Sequence, residues 1–88
     1  MIRRDNMSDW RLHGQERYLM DLELYWRKYT RYSDSWDHDH CEFCGETFSL
    51  YGGDLTEGYS TKDSYYWICK QCHDDFCNLF NWKHPISD

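Results

Sequence analysis

Two cysteine pairs constrain the fold of this chain more than any other feature of its sequence. They are Cys41 with Cys44 and Cys69 with Cys72, each a C-x-x-C motif, and 24 residues lie between the pairs. Two cysteines at this spacing can wrap one tight turn and direct both sulfurs at one ion, and two such turns complete the tetrahedral set that Zn²⁺ prefers. We therefore predict one Zn²⁺ ion held by these four cysteines.

The predicted metal site has only protein ligands. A site of four thiolates is closed, whereas a catalytic zinc keeps one position open for water. The ion is therefore expected to be structural, and the chain is expected not to be an enzyme. A chain of 88 residues buries a thin core. Zinc binding worth about 10–16 kcal/mol matches or exceeds the whole stability of a small domain, about 5–15 kcal/mol, so metal removal should unfold at least the cysteine-bearing half.

Two disulfides or a redox-active pair are the alternatives to a metal. Disulfide-rich secreted domains usually carry an even number of cysteines and a signal peptide, whereas this chain has five cysteines and a polar stretch from Met1 to Met7. Either of these methionines could be the natural start. A thioredoxin-like site needs one C-x-x-C after a strand, not two matched ones. The fifth cysteine, Cys77, is expected to be a small buried hydrophobe, and redox regulation through it stays open.

Charge is distributed unevenly along the chain, whose net charge is −6. Residues 1–32 hold seven Lys/Arg and five Asp/Glu, whereas residues 33–88 hold three and eleven. Because nucleic-acid affinity comes largely from Lys/Arg on phosphates, the acidic half suits a basic protein partner better. No stretch approaches the roughly 20 apolar residues of a membrane span, so a cytoplasmic protein is expected.

The segment from Gln15 to about Arg31 is predicted to be an amphipathic helix. Its apolar side chains recur at a period of 3.6 residues, which indicates one helical stripe. We expect this stripe to pack on the zinc-binding half, with a partner-binding face as the alternative. The stripe consists of Tyr18, Leu19, Leu22, Tyr25, Trp26 and Tyr29.

The sequence between and after the cysteine pairs predicts a hairpin, a strand and a helix. Residues 47–51 and 55–59 flank a Gly-Gly-Asp turn and are predicted to pair as a β-hairpin. Residues 65–68 should form a strand that delivers Cys69. Helical spacing of Phe76, Leu79 and Phe80 predicts a helix from about Gln71.

This order of elements resembles the treble-clef zinc finger over residues 41–82. The run from Cys41 to Gly45 and the later Cys69-Lys70-Gln71-Cys72-His73 also resemble the zinc-stabilised branch of the HNH endonucleases. That family places its general-base histidine on the first hairpin strand, but no histidine occurs between Gly45 and Ile68 here. The resemblance therefore implies a shared scaffold without the shared activity. As a whole, the chain resembles small bacterial or phage zinc-finger proteins.

The predicted fold class is α+β: a small zinc-stabilised treble clef with the N-terminal amphipathic helix packed on it. One domain is expected, with an arm and helix over residues 1–36 and the zinc-binding module over residues 37–88. Beside the ligands, hydrogen-bond support for the sulfurs is expected from His40, Gly45 and His73.

The leading hypothesis for function is a non-enzymatic zinc protein that binds another protein, such as a basic nucleic-acid enzyme that it inhibits in the manner of an immunity protein. The predicted partner contacts are Tyr51, Tyr59, Tyr65, Tyr66 and Trp67. One alternative is nucleic-acid binding through the basic residues of the N-terminal helix region, which are Arg3, Arg4, Arg11, Arg17, Arg27, Lys28 and Arg31. Another is a divergent HNH-like nuclease that uses His38, His40 or His73.

Overall fold

Two helices and five short strands form the described part of the chain, residues 9–31 and 33–85, in a computed structural model. The fold class is therefore α+β, as predicted. No helix within these residues has the length and apolar character needed to cross a membrane. In chain order the elements are α1 (Glu16–Leu19), β1 (Tyr25–Lys28), β2 (His38–His40), β3 (Thr47–Ser49), β4 (Glu57–Ser60), β5 (Trp67–Ile68) and α2 (Lys70–Phe80).

The strands form two small antiparallel sheets that meet at the cysteine pairs. One sheet has the order β1-β4-β5, and the other pairs β2 with β3. The first cysteine pair lies in the turn between β2 and β3. A bridge between Cys41 and Trp67 joins the two sheets, with the Glu42 N–H donating to the Trp67 carbonyl at 3.0 Å. Since β5 leads directly into Cys69 and α2, this bridge brings the two C-x-x-C turns together.

Aromatic side chains fill the core beneath the two cysteine turns. Trp67 is fully buried, with its ring 5.0 Å from that of Tyr29 and 5.3 Å from that of Phe48. Phe43, inside the first cysteine turn, packs 4.9 Å from the ring of Phe76 on α2. The turn and the helix that carry the ligands are therefore held by one apolar cluster as well as by any metal.

The prediction of a long helix from Gln15 to Arg31 is wrong. Helix α1 has four residues, and the chain is extended at β1, which pairs with β4. Between them Asp21 has a left-handed φ of 61°, and its N–H donates to the Phe80 carbonyl at 2.9 Å. A residue in this conformation cannot continue a right-handed helix. Aromatic residues are also favoured in strands, so tertiary pairing overrides the helical period in this segment.

The predicted hairpin of residues 47–51 with 55–59 is also wrong. The antiparallel partner of β3 is β2, and β3 meets the predicted segment through a parallel bridge between Phe48 and Leu55, while β4 pairs with β1 and β5. The first cysteine turn itself acts as the hairpin turn, because Cys41 N–H donates to the Glu46 carbonyl at 2.7 Å. The predicted strand before Cys69 and the predicted helix after it are confirmed by β5 and α2.

Candidate metal centre

The structure brings the four predicted ligands together. The Sγ atoms of Cys41, Cys44, Cys69 and Cys72 lie within 4.8 Å of one another. The Cys44 and Cys69 sulfurs are 3.7 Å apart, which matches the separation of about 3.8 Å between two thiolates on a tetrahedral zinc with bonds of about 2.3 Å. All five cysteines are free, so the two-disulfide alternative is not adopted. The cluster, called here the four-cysteine cluster, can hold one metal ion, and a tetrahedral sulfur set is typical of zinc.

Two different local structures present the ligands. In the first pair, Gly45 has a φ of 84° and donates its N–H to the Cys41 carbonyl at 3.1 Å, which closes the turn. In the second pair, Cys69 is the N-cap of α2, and its sulfur accepts a hydrogen bond from the Cys72 N–H at 3.5 Å. A helix N-terminus stabilises negative charge, which suits the second pair to bind as thiolates once a cation replaces their protons.

Main-chain N–H groups point at the Cys41 sulfur. Phe43 and Cys69 donate to it at 3.5 and 3.4 Å. The pKa of Cys41 is held well below its ordinary value because the thiols of Cys69 and Cys72 donate to it, joined by the main-chain N–H groups of Cys69 and Cys44. Donating to Cys41 in turn raises the pKa of Cys69 to about 12. Because zinc binds thiolates and not thiols, binding a dication releases the remaining thiol protons of the cluster.

Arg11 contacts the four-cysteine cluster, which the sequence did not predict. Its Nη1 lies 3.5 Å from Cys72 Sγ and 2.9 Å from Asp75 Oδ2, and its guanidinium lies 4.5 Å from the centre of the Phe76 ring. Two further hydrogen bonds to Asp9 hold the guanidinium and lower the pKa of Asp9 to about 2. This cation would partly offset the net negative charge of four thiolates around one Zn²⁺. Since 61 residues separate Arg11 from Cys72, no local sequence pattern could reveal the contact.

Gln15 ties the N-terminal arm to the first cysteine turn. Its side chain is fully buried, and Nε2 donates to the carbonyls of Arg11 at 2.8 Å and Glu42 at 2.9 Å. Its Oε1 accepts the His13 N–H at 2.8 Å. Glu42 lies inside the first C-x-x-C motif, so this amide links the arm that carries Arg11 to the metal-binding turn.

The residues predicted to support the sulfurs have other partners in the structure. His40 Nδ1 lies 3.2 Å from the Gly45 carbonyl oxygen. Gly45 donates to a carbonyl, and His73 Nε2 lies 2.7 Å from His84 Nε2. Apart from the thiols of the cluster itself, the donors to the sulfurs within residues 9–31 and 33–85 are main-chain groups and Arg11.

The aromatic residues predicted to contact a partner differ in exposure. Tyr51 is 60% exposed and Tyr65 is also exposed, whereas Tyr59 and Tyr66 are half-buried. Trp67 is 0% exposed, so its prediction as a partner contact is wrong. The reason is that β5 carries it into the core between the two sheets.

The predicted basic face does not form as a helix. Arg27 lies on β1, and its Nη1 is within hydrogen-bond distance of oxygens of Ser60, Thr61, Lys62 and Ser64. Arg3 and Arg4 lie outside the described residues. The nuclease candidates are also spread over two elements, since His38 and His40 lie on β2 and His73 lies on α2.

A groove of about 580 Å³ lies beside the four-cysteine cluster. Two exposed indoles border it, those of Trp10 (73% exposed) and Trp26 (48% exposed). Two carboxylates, Glu46 and Glu57, also line it, together with cysteines from both pairs. The groove therefore combines apolar ring surface with negative charge.

Comparisons with known proteins leave the chain without a relative from which a function could be transferred. Searches against protein-family models, curated proteins and solved structures each found no match. What the protein does must therefore be inferred from the cluster, the groove and their chemistry.

Proposed function

We propose that this protein is a non-enzymatic zinc protein that binds a basic segment of another protein in the groove beside its four-cysteine cluster. The observation that carries the proposal is that exposed indoles and carboxylates without an ion-pair partner among the described residues line the same groove. Zinc would be structural, because its four ligands leave no position for water.

The proposed scaffold is a treble clef. Its support is the order of the elements: a C-x-x-C turn, then the antiparallel pair β4–β5, then α2 with the second cysteine pair at its first turn. In such a scaffold the ion fixes the turn against the helix, and the groove lies along that junction. Metal binding would therefore organise the docking surface without taking part in chemistry.

The charge of the groove favours a basic partner. Glu46 and Glu57 form no ion pair with any cation among residues 9–31 and 33–85. The basic side chains that line the same groove are neutralised: Arg11 pairs with Asp9 and Asp75, and Lys70 pairs with Asp74 at 2.7 Å.

An incoming Lys or Arg could therefore meet both features of the groove at once. Its cation would stack on Trp10 or Trp26 and pair with Glu46 or Glu57. The tetrathiolate zinc centre adds further negative charge at the groove wall, which favours the same partner.

The test uses the tagged protein, its own cell lysate and nuclease treatment. The variants are Trp10→Ala and the double variant Glu46→Gln with Glu57→Gln, and the control is Tyr51→Ala, an exposed aromatic that does not line the groove. We expect a basic protein to be retained by the wild type and the control and to be lost from the groove variants. Zinc content, measured on each sample, should not change, which separates loss of the surface from loss of the fold.

Two outcomes contradict the proposal. One is a partner that remains on all the groove variants. The other is co-purifying nucleic acid that accounts for all bound material and disappears on nuclease treatment, which would favour nucleic-acid binding instead.

A further inference from the structure

We propose a second metal site, formed by His73, Cys77 and His84 and separate from the four-cysteine cluster. Their ligand atoms lie within 4.8 Å of one another. The donors are two imidazoles and one thiol, a set that suits Zn²⁺ and related divalent transition metals. These three residues are called here the tail cluster.

Two of the ligands share one face of α2. His73 and Cys77 are four residues apart on this helix, a spacing that places side chains one above the other. His73 is almost fully buried and Cys77 is half-buried, so both face the body of the protein rather than open solvent.

The third ligand returns to the helix because the chain reverses after α2. Asn81 takes a left-handed φ of 56° and donates its N–H to the Asn78 carbonyl at 3.3 Å. The Trp82 N–H then donates to the Cys77 carbonyl at 3.2 Å. This turn directs the following residues back along the helix, which places His84 beside His73.

The returning segment is anchored rather than loose. The Trp82 indole N–H donates to the Leu19 carbonyl at 2.7 Å. Lys83 exchanges main-chain hydrogen bonds with the N-terminal arm: its N–H donates to Leu22 at 2.9 Å, and its carbonyl accepts from Leu24 at 2.8 Å. His84 directly follows Lys83, whose main chain is hydrogen-bonded to the arm, so the fold itself places His84 beside α2.

The His73 ring is held in the orientation that a metal ligand needs. It stacks on Tyr59, with ring centres 3.6 Å apart and planes within 10°. Its Nδ1 lies 2.8 Å from Asp74 Oδ1. A carboxylate only accepts, so Nδ1 carries the proton and Nε2 presents its lone pair. A histidine whose second nitrogen donates to a carboxylate is the arrangement found behind metal-ligating imidazoles.

The closest contact in the tail cluster joins the two Nε2 atoms at 2.7 Å. With His73 Nε2 as acceptor, the proton between them belongs to His84. Two nitrogens on a tetrahedral ion are about 3.3 Å apart, so the rings must separate by about 0.6 Å for the ion to replace this proton. His84 keeps one proton by moving it to Nδ1, and Cys77 releases its thiol proton to solvent.

The test is metal binding to the whole protein, with Zn²⁺ alone as the probe. The purified chain is dialysed against micromolar Zn²⁺ and its bound metal is counted. We expect two ions in the wild type and one in both His84→Ala and Cys77→Ser. His38→Ala, which removes an exposed histidine outside the cluster, should retain two. Far-UV circular dichroism checks that each variant stays folded.

Cobalt substitution adds a spectroscopic check on the same variants. Thiolate-to-cobalt charge transfer grows with the number of bound sulfurs, so the second Co²⁺ should add a much weaker band than the first, and His84→Ala should remove only this band. A wild type that binds one ion, or a second ion that persists in both His84→Ala and Cys77→Ser, would overturn the proposal.

Discussion

The four-cysteine cluster and the tail cluster are built in opposite ways. In the first, each pair of ligands comes from a single turn, and the sulfurs of Cys44 and Cys69 are already 3.7 Å apart, close to the spacing on a tetrahedral ion. In the second, one ligand returns from beyond the helix, and the two imidazole nitrogens lie at hydrogen-bond distance. Local spacing in the sequence can therefore define a metal site by itself, whereas a site whose last ligand comes from a distant, returning segment depends on the rest of the fold.

The two clusters should therefore differ in what the metal does for stability. The four-cysteine cluster joins the β2–β3 turn to α2 across the core, so an ion bound there would hold these elements together. The tail cluster joins residues that main-chain hydrogen bonds already hold in place. Losing the metal from the tail cluster should therefore change the stability of the fold little.

The largest expected difference is between substitutions of two cysteines on the same helix, α2. Cys72→Ser removes a ligand of the four-cysteine cluster and should unfold at least the cysteine-bearing half, because zinc binding worth about 10–16 kcal/mol is lost or severely weakened. Cys77→Ser is the matched control and should remain folded. Thermal unfolding followed by circular dichroism, with zinc content on the same samples, measures both. A Cys72→Ser protein that melts like the wild type would show that zinc does not hold the fold.

The same contrast explains how much of the structure the sequence could predict. The four cysteines, the strand into Cys69 and the helix after it follow from short-range patterns. The tail cluster could not be predicted, because His84 reaches His73 only through the left-handed turn at Asn81 and the bridge to the arm.

The prediction of a helix in the N-terminal arm was wrong for a related reason. Its apolar residues match a helical period, but Tyr25 to Lys28 finds a strand partner in β4, and the turn at Asp21 interrupts the helix. A single sequence does not reveal whether such a partner exists. The contacts of Arg11 and Gln15 with the cysteine turns depend on the path of this arm, so the sequence could not predict them either.

Gln15→Leu should cause the next largest loss of stability. It should affect the four-cysteine cluster and leave the tail cluster unchanged. It leaves the partly buried carbonyls of Arg11 and Glu42 without the donors that Nε2 supplies. Leaving such groups unsatisfied costs about 1–3 kcal/mol, which denaturant unfolding of the zinc-loaded protein can measure. Glu16→Ala, on the exposed neighbour, is the control and should change stability far less. Equal effects of the two substitutions would show that the Gln15 hydrogen bonds do not tie the N-terminal arm to the first cysteine turn.

Arg11→Met tests the charge beside the four-cysteine cluster while preserving much of the packing on Phe76. Partners outside the ligand set typically contribute about 10–100-fold in metal affinity. We expect about a tenfold loss of zinc affinity at the four-cysteine cluster in competition with a chelator, and no change at the tail cluster. Arg17→Met, an exposed arginine of α1, is the control. If both substitutions weaken zinc equally, the effect comes from net charge and not from the contact with Cys72.

The smallest expected effect lies in the tail cluster and concerns the partner of His73. Asp74→Asn keeps an oxygen that can accept from Nδ1 but removes the negative charge that makes the imidazole a stronger ligand. We expect the second ion to bind up to about tenfold more weakly, with the first ion unaffected. Lys70→Met, which removes the other partner of Asp74, is the control and should leave both affinities close to those of the wild type. An Asp74→Asn protein that loses the first ion as readily as the second would mean that the two clusters are not independent.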